Sequence, residues 1–290
     1  LIEKRTNKKF NVFEISKTDE KTFELLSKGD TFGVFQLESS GMRKYIKDLK
    51  PSSISDIAAM IALYRPGPME HIDRFIRSKY GKEKIKYPHE TLESILSETY
   101  GIIVYQDQVL KIAQAFGGYT LGEADILRKA MGKKIKEVMQ AEKDRFISGS
   151  LSKGFDEKTS NEIFELIEPF AGYAFNKAHS ISYAMIAYWT AYFKSNYKIE
   201  YFTALLNSSI NNTDKISVCV SEIRKTDLEI TKPNINNSNV TFGIINSKNG
   251  KIISYGLSSL KNVGALSLSK IIEERENNGD YQSLADFCRR

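Results

Sequence analysis

Cysteine is scarce in this chain: its 290 residues hold two, Cys219 and Cys288, far apart in sequence. Two distant thiols build no disulfide framework, and with no secretory leader in view they fit a reducing, cytoplasmic setting. Histidine is almost as rare, with only His71, His89 and His179. Neither residue type falls at the short spacings of a zinc site. No apolar run approaches the roughly 20 residues that span a bilayer. The most apolar stretch, Ile181 to Phe193, is broken by Ser182 and Thr190 and carries several tyrosines. Patterns that carry chemistry are missing as well. "MGKK" lacks both the leading glycine and the hydroxyl of a G-x-x-x-x-G-K-[ST] loop, and no G-x-G-x-x-G occurs. No G-x-S-x-G or Cys/His pairing offers a covalent nucleophile. No pair of aspartates sits on a strand-like stretch, as a two-metal phosphoryl site requires. No catalytic centre and no metal site is legible in these residues.

What is present is an ordinary globular composition, 41% hydrophobic and 27% charged, long enough for one large domain or two. Fifteen tyrosines and sixteen phenylalanines supply material for packing or base stacking. A net charge of +6 and a pI near 9.0 favour an acidic partner, although much of the lysine is scattered. The first residue is Leu1, and the last residues cut into a helical pattern, so the chain reads as a piece of a longer protein.

The periodicity predicts a mainly α chain with a small β element near the C-terminus. A helix starts near Lys21 and stops at "KGD"; "TFGVFQLES" alternates weakly and reads as extended. "PSSISDIAAMIALYRPGP" is a helix with its stops written in: Pro51 and the serines at its start, Arg65-Pro66-Gly67-Pro68 at its end. Helices are expected over 90–98, 106–116, 123–131, 135–148, 157–168 and 178–206, with Gly132 separating the fourth from the third. "VTFGII" and "KIISYG" read as strands joined by a turn at Asn249-Gly250. A helix, a glycine turn and a helix close the chain. The expected organisation is a linker or domain edge over 1–27, a core over 28–206, a connecting subdomain with the hairpin over 207–256, and a truncated helical hairpin over 257–290.

Two stretches are candidates to hold an anion. From Ile126 to Lys136 the chain carries Arg128, Lys129, Lys133, Lys134 and Lys136 and no acid. On a helix whose buried face is Ala124, Leu127, Ala130 and Met131, Arg128 and Lys129 project outward. With Gly132 as the stop, Lys133 and Lys134 fall at the start of the next helix, where free N–H groups add positive field. An arginine offers a flat fork to phosphate oxygens and a lysine a point charge. A solvated basic helix end, with Arg128 capping carbonyls, explains the same residues. The second stretch is "AFNKAHSISYAMIAYWTAYF". Ser180 is a candidate N-cap, and a helix start is an anion site. His179 can donate to a phosphate, Tyr183 can stack on a base or sugar, and Asn176 and Lys177 line the start. The competing reading is that His179 and Asn176 satisfy a buried turn. Arg65, before Pro66, either aims into a groove or forms a rigid corner. Gln106 and Gln108 fit surface positions at a helix start. In the tail, Lys261 and Asn262 precede a tight turn ending in Gly264, whose amides can hold a DNA phosphate without reading sequence.

"GVFQLESSGM", "ALYRPGPM", "TYGIIVYQDQV", "GYTLGEADILRKAMGKK" and "FAGYAFNKAHSISYA", in that order, resemble the fingers domain of the bacterial DNA polymerase III alpha subunit over about residues 28–206. "YGLSSLKNVG" is similar to the segment leading into that family's helix-hairpin-helix module, with a looser turn. The resemblance implies a DNA-directed DNA polymerase of the replicative C family. Its palm, upstream of "GVFQLES", holds the catalytic aspartates and two Mg²⁺ ions, so neither the catalytic residues nor the metal ligands lie in this chain. The nuclease-like domain, the thumb and the sliding-clamp-binding region are also expected outside it. By position, Arg128 and Lys129 match the basic pair that approaches the triphosphate of the incoming deoxynucleotide, with Lys129 where arginine is common. Lys133 and Lys134 match "GKK", Asn176, Lys177, His179 and Ser180 the stretch lining the nucleotide pocket, and Tyr183 the aromatic one turn later. Arg65, Gln106, Lys261, Asn262 and Gly264 are candidates for further pocket or DNA contacts. Expected partners are primer-template DNA, deoxynucleotides and the other subunits of the replicative holoenzyme. A non-catalytic, sequence-neutral DNA-binding module and a helical protein-interaction scaffold are the rival readings.

Overall fold

The computed structural model describes residues 1–133, 136–171, 174–248 and 250–290, with side chains described outside 130–138, 171–173 and 249. The chain forms two compact units, Ser16–Trp189 in one and Leu1–Ile15 with Thr190–Arg290 in the other. After α1 (Ile2–Thr6) come α2 (Glu20–Ser27), α3 (Ser40–Leu49), α4 (Ile54–Leu63) and α5 (Ile72–Lys79). A short α6 (Glu93–Leu96) precedes α7 (Gln106–Gly117), α8 (Leu121–Lys133), α9 (Lys136–Ser152) and α10 (Glu157–Ala171). α11 (Lys177–Asn196) gives its first turns to the unit Ser16–Trp189 and its last to the other. Then follow α12 (Lys198–Ser208), α13 (Thr213–Ile223), an antiparallel hairpin of β1 (Gly243–Ser247) and β2 (Gly250–Ser254), α14 (Ala265–Asn278) and α15 (Leu284–Arg289). The architecture is mainly α with one small sheet, as the periodicity predicts.

Short polar residues set the helix starts. The side chains of Asp19, Ser39, Ser53, Asn212 and Ser283 each accept from an N–H in the first turn of the following helix. In α4 every residue from Ile57 to Leu63 is buried, so this helix lies wholly inside its unit. Its first turn carries a buried charge, Asp56, whose carboxylate meets Lys79 Nζ at 2.8 Å and accepts from the Ser52 N–H and hydroxyl at 2.9 and 3.1 Å. Lys79 also donates to the Lys50 carbonyl at 3.1 Å. One ion pair thus ties the end of α3, the start of α4 and the end of α5.

A second core is built where α6 to α10 meet, from Leu92, Val109, Ile112, Phe116, Leu127, Phe146 and Phe164. There α7 and α9 touch backbone to backbone. A Cβ added to Gly149 would lie 2.0 Å from the Gly117 carbonyl oxygen, so only glycine fits.

Several expectations are corrected. "TFGVFQLES" is not a strand: Val34 N–H donates to Thr31 O and Leu37 N–H to Val34 O, so successive i, i+3 turns bury Val34 and Leu37. Gly132 does not end α8, which runs on to Lys133; a glycine between good helix formers costs about 1 kcal/mol and does not stop the ladder. The helix expected over 178–206 breaks at Tyr197 into α11 and α12. In α11 Ser182 and Ile186 are exposed. Its buried line is Ser180, Ala184, Ala187, Tyr188 and Ala191. Before the Gly264 turn stands a single 3-10 turn, Leu257–Ser259, rather than an α-helix. The tail does end as helix, glycine turn and helix: α14, Gly279 in the left-handed region at φ 81°, and α15. Asn249 of the expected hairpin turn lies outside the described residues, as do the side chains of Ala130 and Met131.

Gly149→Ala is expected to lower unfolding stability by about 1–3 kcal/mol through overpacking. Gly122→Ala, inside α8 with nothing within 4 Å of an added Cβ, should preserve or raise it. Urea denaturation of both variants checks the contrast; equal effects would show that α7 and α9 separate freely.

Candidate functional site

Phe175 N–H donates to the Val104 carbonyl and Gln106 N–H to the Phe175 carbonyl, both at 2.9 Å, making a parallel bridge between Tyr105 and Phe175. Because α7 starts at Gln106 and α11 at Lys177, this bridge sets the two helix starts side by side. Gln108 supports it from below. Its side-chain oxygen accepts from the Val104 and Tyr105 N–H groups at 2.8 and 3.0 Å, and its amide donates to Thr99 Oγ1 at 2.7 Å. Gln108 is therefore buried frame, not the surface residue expected, while Gln106 contributes its backbone to the bridge.

Asn176, not Ser180, caps α11: its Oδ1 accepts from the His179 N–H at 2.9 Å. Ser180 is fully buried and donates to the Ala58 carbonyl at 2.6 Å, anchoring α11 on α4. It also meets the Tyr105 phenol, whose pKa burial pushes well above the usual tyrosine value. Ser180 thus holds the helix in place and does not face solvent.

Around this frame lies a row of one cation and four rings. The Arg65 guanidinium sits 4.5 Å over Phe175 while its Nε donates to the Ala62 carbonyl at 2.9 Å. Partial burial draws the Arg65 pKa below the ordinary arginine value. Phe175 lies 5.5 Å from His179, His179 4.1 Å from Tyr183, and Tyr183 5.2 Å from Phe35, between ring centroids. Within α11, His179 and Tyr183 share one face at a spacing of four, and Phe175 reaches His179 from the bridge just before the helix. His179 and Asn176 are exposed, and Arg65, Tyr183 and Phe35 are half-buried. Beside the row, Lys177 Nζ meets Glu98 at 2.5 Å and stands 5.6 Å over the Tyr105 ring.

The structure thus gathers Arg65, Gln106, Asn176, Lys177, His179, Ser180 and Tyr183 into one region centred on Phe175. Sequence reasoning passed over Phe175, although its spacing to His179 and Tyr183 was visible. Phe35 and Glu98 carry no local signal, since only folding brings them to α11.

Arg128 and Lys129 are organised differently. Arg128 Nε and Nη2 donate to Asp125 Oδ1 at 3.0 and 2.7 Å, and Lys129 Nζ meets Oδ2 at 2.7 Å. Hydrogen bonds from Lys129 and then Arg128 hold the Asp125 carboxyl below the usual aspartate range. Among the described residues Arg128 bonds a carboxylate and no carbonyl, and the acid that balances the basic run sits one residue before it. Lys133 closes α8 instead of opening α9, so it stands at the carbonyl end of a helix. Its side chain, and all of Lys134, lie outside the described residues. Among the described residues the ion pairs of Arg128 and Lys129 stay within α8, and none joins them to the row on α11.

Lys261, Asn262 and Gly264 share one exposed loop, with Asn262 in the left-handed region at φ 67° and Gly264 just before α14. Among the described residues no three His, Cys, Asp or Glu side chains gather to hold a metal ion, and no helix is long and apolar enough to cross a membrane.

The pattern of the bacterial DNA polymerase III alpha subunit finger domain matches residues 1–154, more than half of the chain. The chain belongs to the bacterial DNA polymerase III alpha subunit finger-domain family. A helix-hairpin-helix motif pattern matches residues 227–290. The DNA polymerase III subunit alpha of Borreliella burgdorferi is 48% identical over 284 residues, which are 98% of this chain and 24% of the relative. The Bacillus subtilis protein of the same name is 45% identical over 288 residues, 99% of this chain and 25% of that one. That of Thermus aquaticus is 46% identical over 277 residues, 94% and 22%. The chain thus spans about a quarter of the length of the curated relatives it matches. The family match includes the Tyr105 side of the bridge and the whole Asp125–Arg128–Lys129 group, and ends before α11.

The Asp125 triad has a pH signature. A carboxyl whose folded-state pKa is depressed stabilises the fold above its unfolded value, 3.8, and loses that contribution as pH falls through the folded value. In a carboxyl-carbon NMR titration Asp125 is expected to titrate below 3.8 and to rise in Lys129→Gln and Arg128→Gln. A midpoint that ignores both substitutions would show that the triad is not formed in solution.

Proposed function

We propose that this chain is the fingers region of a DNA-directed DNA polymerase and binds the triphosphate of the incoming deoxynucleotide, positioning it on primer-template DNA during replication. The observation that carries the reading is the row from Arg65 through Phe175, His179 and Tyr183 at the capped start of α11. It presents a half-buried guanidinium, an exposed imidazole and an aromatic face at the positive end of a helix. Phosphate oxygens suit the cations and the imidazole, and a sugar or base suits the Tyr183 ring. Arg128 and Lys129 form the second cationic group, with Lys133 and Lys134 extending it. Lys177 and Asn176 complete the first, Ser180 fixes it, and Gln106 holds its backbone frame.

The contribution to catalysis is positioning and charge neutralisation at the phosphates. On this reading Mg²⁺ and the catalytic aspartates belong to the palm, outside this chain. The same reading places the protein in the cytoplasm, with the sliding clamp and other holoenzyme subunits as partners of regions beyond this chain. It keeps the division into a palm edge over 1–27, a fingers core over 28–206, a connector over 207–256 and a helix-hairpin-helix segment over 257–290.

A second reading is favoured by the helix-hairpin-helix match and the exposed loop of Lys261, Asn262 and Gly264. On it, the chain acts as a sequence-neutral DNA-binding module through backbone phosphates. Single-nucleotide incorporation by the intact protein separates the two. With Arg128→Ala, deoxynucleotide affinity or the incorporation rate is expected to fall tenfold or more, the scale of one lost charge-assisted contact of about 1.5–3 kcal/mol. Primer-template affinity should hold. Loss of DNA affinity with unchanged nucleotide use would instead make the basic run a backbone-tracking patch.

A further inference from the structure

The ends of α2, α3 and α5 surround a solvent-open cavity of about 890 Å³ to which nothing above assigns a role. Five cations line it, Lys28, Lys47, Lys50, Arg77 and Lys82, against two acids, Asp48 and Asp73. None of the residues proposed to hold the nucleotide is among them. Lys28 is engaged by Glu24 at 2.6 Å and Arg77 by Glu83 at 2.9 Å, both exposed pairs. Among the described residues no ion pair engages Lys47, Lys50 or Lys82, and all three are exposed.

Helix C-termini attract lysines, so cations here need a stronger argument than their presence. The structure supplies it at α3. The Leu49 carbonyl accepts from the Tyr80 hydroxyl at 2.7 Å, and the Lys50 carbonyl from Lys79 at 3.1 Å. Tyr80 and Lys79 thus bond the Leu49 and Lys50 carbonyls in place of the cavity lysines, which leaves Lys47, Lys50 and Lys82 available to a ligand. Tyr80 is itself 44% exposed and lines the cavity, its hydroxyl held by the Leu49 carbonyl and Lys79 Nζ 5.7 Å from its ring centroid.

We propose that this groove binds a single strand of nucleic acid, its lysines following the phosphates and Tyr80 stacking on a base. The cations come from three helix ends and a following loop, so they line the groove from several sides. A volume of this size admits a few nucleotides of a strand and not the body of a duplex. Cations along a groove with an anchored aromatic is the pattern that holds single strands without reading sequence.

The test is fluorescence-anisotropy titration of the intact protein with a short oligothymidylate across a salt series. Lys47→Gln, Lys50→Gln and Lys82→Gln are combined in one variant. The charge-matched control combines Lys44→Gln, Lys84→Gln and Lys86→Gln, three exposed lysines outside the groove. The groove variant should bind at least tenfold more weakly and lower the slope of log affinity against log salt by about 2, three strand contacts' worth. The control should change less than twofold. A halogenated-uracil strand should cross-link to Tyr80 in the wild type and not in the groove variant. Equal losses in the two variants, no loss in either, or no cross-link at Tyr80 overturns the proposal. So does an oligoglutamate that competes as well as the oligonucleotide, because the groove would then take any polyanion. The groove lysines are separate from Arg128, so this result and the nucleotide-incorporation result stand or fall apart.

Discussion

The backbone bridge between Tyr105 and Phe175 is the constraint on which the candidate site depends. Two 2.9 Å hydrogen bonds join segments far apart in sequence, and each segment runs directly into a helix. Once those bonds form, the starts of α7 and α11 have no freedom to separate, and Phe175 is fixed under Arg65. Gln108, buried below the bridge, binds the N–H groups that the bridge leaves over. A buried amide in this position is costly to lose, since its partners would be left unsatisfied. The frame is therefore rigid for the same reason that it is buried, and the residues it presents are exposed because they lie one layer out.

The cations of the site are held but not locked. Lys177 with Glu98, and Arg128 and Lys129 with Asp125, are partly exposed ion pairs. Pairs of this kind are worth about 0–1 kcal/mol. A phosphate carrying more charge can replace such a carboxylate at small cost, while the carboxylate keeps the long side chains ordered beforehand. The buried pair of Asp56 with Lys79 behaves oppositely. Its charges are shielded from water and share hydrogen bonds with three chain segments, so removing one partner would cost about 3–5 kcal/mol. One pair is structural and the others exchangeable, and solvent exposure makes the difference.

Much of the local structure was legible before the fold. The serines before Ile54 mark a helix start by capping chemistry, which acts within a few residues. The hairpin of β1 and β2 followed from the same kind of short-range rule. The misses share one cause. The alternation in "TFGVFQLES" reflects turns that bury Val34 and Leu37, and a period of two does not distinguish turns from a strand. Gly132 was read as a stop because propensity was weighed without its helix-forming neighbours.

The sequence by itself determined the mainly helical character, the start of α4, the basic run at Arg128 and Lys129, and the family the chain belongs to, because these rest on residues close together or on motifs kept in order. Tertiary structure alone decided that Ser180 anchors α11, that Phe35 and Glu98 reach it, and that Arg65 stacks on Phe175. It alone placed the lysines of α2, α3 and the loop after α5 around one groove. Each of these depends on which distant surface a helix packs against, and that is settled by burial of whole faces rather than by any residue's neighbours in the chain.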